Sequence, residues 1–147
     1  MSILLIAGDP AQWALGADSP ASAIEQALLR QDGTVTVNVV APLKGRLILS
    51  TRSVASVAVL TTPLGWIPGG AIGPRAALYV PSPAGPTEAR HGYTLDASAD
   101  LAALESEIVT AMTHGTTIAV PVAIGDFHGP LLLNGRTLPF AVLCKPA

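Results

Sequence analysis

Four side chains in the second half of the chain have types that do chemistry: His91, Tyr93, Asp126 and His128. An imidazole beside a carboxylate can move a proton near neutral pH or supply one pair of metal ligands. His91 and Tyr93 fall in residues 85–95, Asp126 and His128 in Ile124-Gly125-Asp126-Phe127-His128. The two segments would act together only if both loops emerge at one end of the fold. Against this, Asp126 and His128 also read as polar residues of a solvated hairpin turn, and Asp-Phe-His-Gly has no metal-ligand spacing. The four are therefore a candidate ligand-binding group. No catalytic residue, metal or cofactor is assigned.

Other reactive types give less. Glu105 and His114 are not spaced four apart, so no Glu–His metal pair arises, and Glu105 and Glu107 read as the solvated face of a helix. Ser50, Ser53 and Ser56 lack the Gly-x-Ser-x-Gly setting of an activated nucleophile. Gly69-Gly70 lacks the Lys-Ser/Thr ending of a phosphate loop. Cys144 is the only cysteine, which excludes an internal disulfide, and it reads as a small buried hydrophobe near the end of a strand. Trp13 and Trp66, with Ile67 and Ile72, read as packing or interface anchors.

The elements that must position these groups follow from periodicity. Residues 3–7 form a short apolar run, as in a strand covered on both faces. Ser19-Pro20 reads as a helix start and Asp32-Gly33 as its exit. Val35, Val37 and Val39 alternate with Thr36 and Asn38, the period-two pattern of a half-buried strand. Residues 47–49 and 54–60 suggest a hairpin turning at 50–53. In the second half, residues 76–80 suggest a strand, Ser98 a helix cap with Asp100 in the first turn, and Gly115 the helix end. Leu101, Leu104, Ile108 and Met112 line one face of that helix. Strands are expected over 117–124, 130–133 and 138–144, with Asn134-Gly135 as a two-residue hairpin turn. Pro121 removes a ladder donor, so its strand should be an edge or carry a bulge.

The order of these features repeats. Gly33-Thr34 and Val40-Ala41 match Gly115-Thr116 and Val122-Ala123; Gly45-Arg46-Leu47-Ile48-Leu49 resembles Gly129-Pro130-Leu131-Leu132-Leu133. Ala58-Val59-Leu60 matches Ala141-Val142-Leu143, and Arg52 and Arg136 occupy matching turns. The expected fold is α+β: an internal duplication of a β-α-β-β-β unit sharing one core, with mainly antiparallel sheets and two helices. Residues 1–62 form the first copy, 63–75 an apolar Gly/Pro-rich connector and 76–147 the second copy.

Composition sets the functional expectation. Half of the 147 residues are hydrophobic and 12 % are charged, against about 25 % in an ordinary domain. So few charges leave large uncharged areas facing water, the mark of contact surfaces. No apolar run reaches the roughly 18 residues of a spanning helix, so no transmembrane segment is expected. The opening residues lack a positive n-region and soon meet Asp9-Pro10, which argues against a signal peptide and for a cytoplasmic location. Net charge is −2 and the basic residues are scattered, so no nucleic-acid partner is expected. The leading reading is a non-enzymatic protein whose partner is itself, a homo-oligomer or a subunit of a larger assembly. The alternative is a small-molecule-binding or sensory domain with an apolar pocket between the two copies.

Overall fold

The structure, a computed structural model, describes residues 2–9, 11–30, 32–54, 56–62, 75–81, 90–124 and 127–145. The described residues build ten strands and two helices in the order β1 (Ser2–Ile6), β2 (Gln12–Leu15), α1 (Ala21–Arg30), β3 (Thr34–Ala41), β4 (Gly45–Ser50), β5 (Val57–Thr61), β6 (Ala77–Pro81), β7 (Arg90–Leu95), α2 (Leu101–His114), β8 (Thr117–Ile124), β9 (Phe127–Asn134) and β10 (Phe140–Cys144). All ten strands lie in one sheet, ordered β5-β1-β2-β3-β4-β10-β6-β7-β8-β9, and every neighbouring pair is antiparallel. The fold is thus α+β with two helices and a ten-stranded antiparallel sheet. Among the described residues no helix is long and apolar enough to cross a membrane.

Alternation along the central strands divides the interior. Leu47 and Leu49 of β4, with Phe140, Val142 and Cys144 of β10, join Leu4, Trp13, Ile24 and Val37 in one cluster. Their intervening neighbours Ile48, Ala141 and Leu143 join Leu78, Leu104, Ile108 and Met112 in another. Successive strand residues point to opposite faces, so α1 covers one face of the sheet and α2 the other. The single shared core expected from the sequence is therefore two clusters, tied together at β4 and β10, which are hydrophobic on both faces.

Several local expectations are corrected. Each half has a strand between its first strand and its helix, so the element order within each half is β-β-α-β-β-β and not β-α-β-β-β. In β2, Trp13, Ala14 and Leu15 are all buried, which erases the alternation that marks a strand. The proposed hairpins do not form: β5 pairs with β1 and β10 lies between β4 and β6. Gly135 does not take a positive φ. A Cβ there would collide with the carbonyl oxygen of Ala111, so the residue is glycine because its backbone lies against the end of α2. Pro121 is neither on an edge strand nor at a bulge; it faces Pro130, and the β7–β8 ladder stops at Leu95 and Val122 before reaching it.

The helix starts differ too. Asp100 caps α2 by accepting from Ala103 N at 3.1 Å, while Ser98 turns back to Asp96. Ser19 accepts instead from Asn38 N of β3 at 2.8 Å. The exits are as read: Gly33 and Gly115 both take positive φ, 92° and 68°.

Candidate functional site

Of the four sequence candidates, the described side chains are those of Tyr93 and His128, and they do not lie together. Cross-strand partners share a sheet face. Tyr93 lies opposite Leu78 and packs against the cluster beneath α2. His128 lies opposite Ala123, which lies opposite Thr94, the chain neighbour of Tyr93. Tyr93 and His128 therefore occupy opposite faces, with the sheet between them. Residue 91 stands opposite Val80 in the β6–β7 register. Asp126 lies outside the described residues, as do Trp66, Ile67 and Ile72.

Trp13 is a core residue and not a surface anchor. It is fully buried, and its indole Nε1 donates to Asp9 Oδ2 at 2.9 Å. Cys144 is buried in the same cluster, as its composition-based reading expects. Among the described residues no group of three or more His, Cys, Asp or Glu side chains could hold a metal ion.

What the fold does build is a cleft of about 520 Å³ where the two halves meet. One wall is Asn38, Lys44 and Arg46 from the β3–β4 end; the other is Leu101 and Glu105 of α2 with Lys145 after β10. Arg46 stands opposite Leu143 in the β4–β10 register, so its side chain lies on the α2 face. Its Nε donates to Glu105 Oε1 at 2.8 Å and its Nη1 to Asn38 Oδ1 at 3.0 Å. Asn38 Nδ2 in turn donates to Asp18 Oδ2 at 2.6 Å. This chain of hydrogen bonds runs from one half to the other, and it corrects the reading of Glu105 as purely solvated. Lys44, Arg46 and Lys145 outnumber the single carboxylate of Glu105, beside apolar Val39, Leu101 and Leu143. Such a lining suits an anion with an apolar body. Nothing in residue spacing could have found it, because Arg46 and Glu105 are 59 positions apart.

A second, wider cleft of about 880 Å³ lies on the sheet face away from α2, along Thr94, Asp96, Pro121, His128 and Pro130. At its margin the Ser98 backbone N–H, and then the Ser98 hydroxyl, donate to Asp96 Oδ1, each at 3.1 Å. These bonds favour the ionised form and hold the Asp96 carboxyl below its ordinary value.

The architecture defines an α+β protein with one continuous sheet, a helix on each face and open clefts beside its strands. Comparison with family models, curated proteins and solved structures gives no match.

Proposed function

We propose that this chain is two copies of one β-β-α-β-β-β unit and that it works, without catalysing a reaction, by associating with further copies of itself. The observation that carries this is the state of the two outermost strands. Among the described residues β5 and β9 each pair on one side only. Edge strands of stable monomers are usually short, charged, bulged or interrupted by proline. Here β9 runs for eight residues and β5 for five; neither carries a Lys, Arg, Asp or Glu, and Pro130 of β9 is the one interruption on these two strands. Leu60 on β5 and Leu132 on β9 are 45 % and 66 % exposed. Uncharged edges with projecting leucines favour pairing with another strand.

The duplication is supported by strand order. The first five strands lie as β5-β1-β2-β3-β4 and the last five as β10-β6-β7-β8-β9, the same permutation. Each helix follows the second strand of its half. Light scattering at micromolar concentration tests the proposal: the expected native mass is a multiple of 14.9 kDa. A clean monomer would remove it.

A second reading, a small-molecule-binding domain, is favoured by the cleft between the halves. Its three cations and apolar wall predict that an amphiphilic carboxylate raises the melting temperature. No shift with any chain length would set that reading aside.

A further inference from the structure

We infer that copies join head to tail, with β9 of one chain pairing antiparallel to β5 of the next, in the geometry that already joins β4 to β10 within one chain. This inference rests on the self-association proposed above and specifies its interface.

The internal junction is the template. Leu49, Ile48, Leu47 and Arg46 lie opposite Phe140, Ala141, Val142 and Leu143. In the shared strand order, β4 closes the first set of five and β9 the second, while β5 opens the first set and β10 the second. The strands left with an open side are thus the counterparts of the two that already pair. Because β4 and β10 are antiparallel and the helices lie on opposite faces, the step between halves reverses strand direction and exchanges faces. Such a step is not self-complementary. Repeated from chain to chain it gives a directional array, open or closed into a ring.

Residue correspondences follow from register. Leu47 and Leu49 lie under α1 as Leu131 and Leu133 lie under α2, so Leu132 corresponds to Ile48. Leu4 lies opposite Val59 and Leu78 opposite Leu143, and both Leu4 and Leu78 are fully buried. Val59 therefore corresponds to Leu143, Ala58 to Val142 and Leu60 to Cys144. This differs by one residue from the match of Ala58-Val59-Leu60 to Ala141-Val142-Leu143 seen in the sequence.

The backbone is oriented for the same pairing. Ser50 N donates outward from β4 to Pro139 O. Ala7 N donates to Ser56 O, so residues 57 and 59 of β5 turn their amides and carbonyls outward. On β9, Pro130 faces Pro121. Two prolines cannot exchange amide bonds, so residues 130 and 132 direct their backbone groups away from β8. Leu132 then meets Val57 of the next copy in a doubly bonded pair. Pro130 meets Val59 and contributes only its carbonyl.

Three independent features agree. The exposed large hydrophobics among the described residues are Leu29, Leu60 and Leu132. The strand register matches Leu60 to Cys144 and Leu132 to Ile48, and the helix-end bonds from Asp32 N to Ala27 O and from Thr116 N to Ala111 O match Leu29 to Thr113. Within the chain Ile48 and Cys144 are buried, and Thr113, whose carbonyl accepts from Arg52 Nη1, lies against Gly33 of the first half. Leu60 and Leu132 thus stand where their counterparts are buried by the other half, and Leu29 where its half-buried counterpart lies against that half. Next, a Cβ on Gly45 would collide with the Leu143 carbonyl across the junction, whereas one on the corresponding Gly129 meets nothing within 4 Å. Inside its own chain Gly129 needs no space; against β5 of a neighbour it would. Finally, the clefts correspond: Asn38, Lys44, Gly45 and Arg46 of the narrower one match Pro121, His128, Gly129 and Pro130 of the wider one. The wider cleft lacks the helix wall that α2 gives the narrower one, and α1 of the next copy would supply it.

The test mixes two chains blocked at different edges. Ala58→Glu places a charge on exposed β5, where the partner's Leu131 would lie. Leu132→Glu does the same on β9, and Gly129→Ala repeats that block with a single methyl. The wild-type mass is measured first. Each blocked chain should then be monomeric, with the melting temperature of the wild type measured in dilute, unassociated solution. Gly129→Ala should weaken association by roughly tenfold or more. An equimolar mixture of A58E and L132E should give one-to-one heterodimers and nothing larger, since one open β9 and one open β5 remain. Association of A58E with itself as strong as wild type, or of the doubly substituted chain, would overturn the head-to-tail geometry while leaving self-association standing. A monomeric wild type would overturn both.

Discussion

Gly45→Ala is the sharpest probe of the contact that makes ten strands one sheet. The added methyl has no free volume: its place is taken by the carbonyl of Leu143, with the Cys144 sulfur at 3.3 Å. Relief requires β4 to move away from β10, yet Ile48, Leu49, Phe140 and Val142 on these strands are almost completely buried. Overpacking of this kind costs about 1–3 kcal/mol. Alanine in place of glycine recovers about 0.4–1 kcal/mol by restricting the unfolded chain. The net loss has a midpoint of about 1.3 kcal/mol, and at about 2–4 °C per kcal/mol for a chain of this size the melting temperature should fall by roughly 4 °C and by no more than about 10 °C. Gly129→Ala carries the same entropic gain and no collision, so the single chain should melt at or slightly above wild type. Both are compared by circular dichroism in dilute solution, where light scattering reports one chain per particle, because association would raise the apparent stability. A Gly45→Ala variant as stable as wild type would refute the close approach of β4 to Leu143, and with it the template for the junction.

Three further outcomes follow from the geometry. Arg46→Ala removes a partly exposed ion pair and its bond to Asn38; the loss in a urea titration should be about 1 kcal/mol and should shrink at high salt. Cys144 should react with a thiol reagent in the native protein far more slowly than in denaturant, since it lies in the core cluster. The Asp96 carboxyl should titrate below the ordinary aspartate value by NMR, and Ser98→Ala should raise it by removing the hydroxyl bond while the backbone bond remains. A depressed folded-state value stabilises the fold above the unfolded-state value. That contribution disappears as pH falls through the folded-state value, so it is confined to the acid range.

Much of the local structure was legible because it depends on neighbours in the chain. Val35, Val37 and Val39 alternate as a strand does, and Gly33 and Gly115 stop helices because glycine takes positive φ without strain. Leu104, Ile108 and Met112 are recognisable from their spacing as one helix face and are buried. The exceptions have physical causes. β2 is covered on both sides and so shows no alternation, while Arg90–Leu95 is polar enough to pass for a loop. Asn134-Gly135 suits a tight hairpin, but Gly135 is held by the approach of Ala111 and Thr116, residues distant in sequence.

The candidate site shows the limit most clearly. His91, Tyr93, Asp126 and His128 were grouped by type and loop position, but face parity in β7, β8 and β9 sets Tyr93 and His128 on opposite sides of the sheet. The cleft that does form depends on Arg46 meeting Glu105 across the two halves.

By itself the sequence determined the element types, the charge-poor exterior and the repeated order of glycines, strands and helices, all set by short-range stereochemistry and composition. Only the tertiary structure decided which strands are neighbours, which face each helix covers and which two strands are outermost. A strand edge presents the same amides and carbonyls whatever its side chains, so the choice among partners is made by packing over the whole sheet and cannot be read from any one segment.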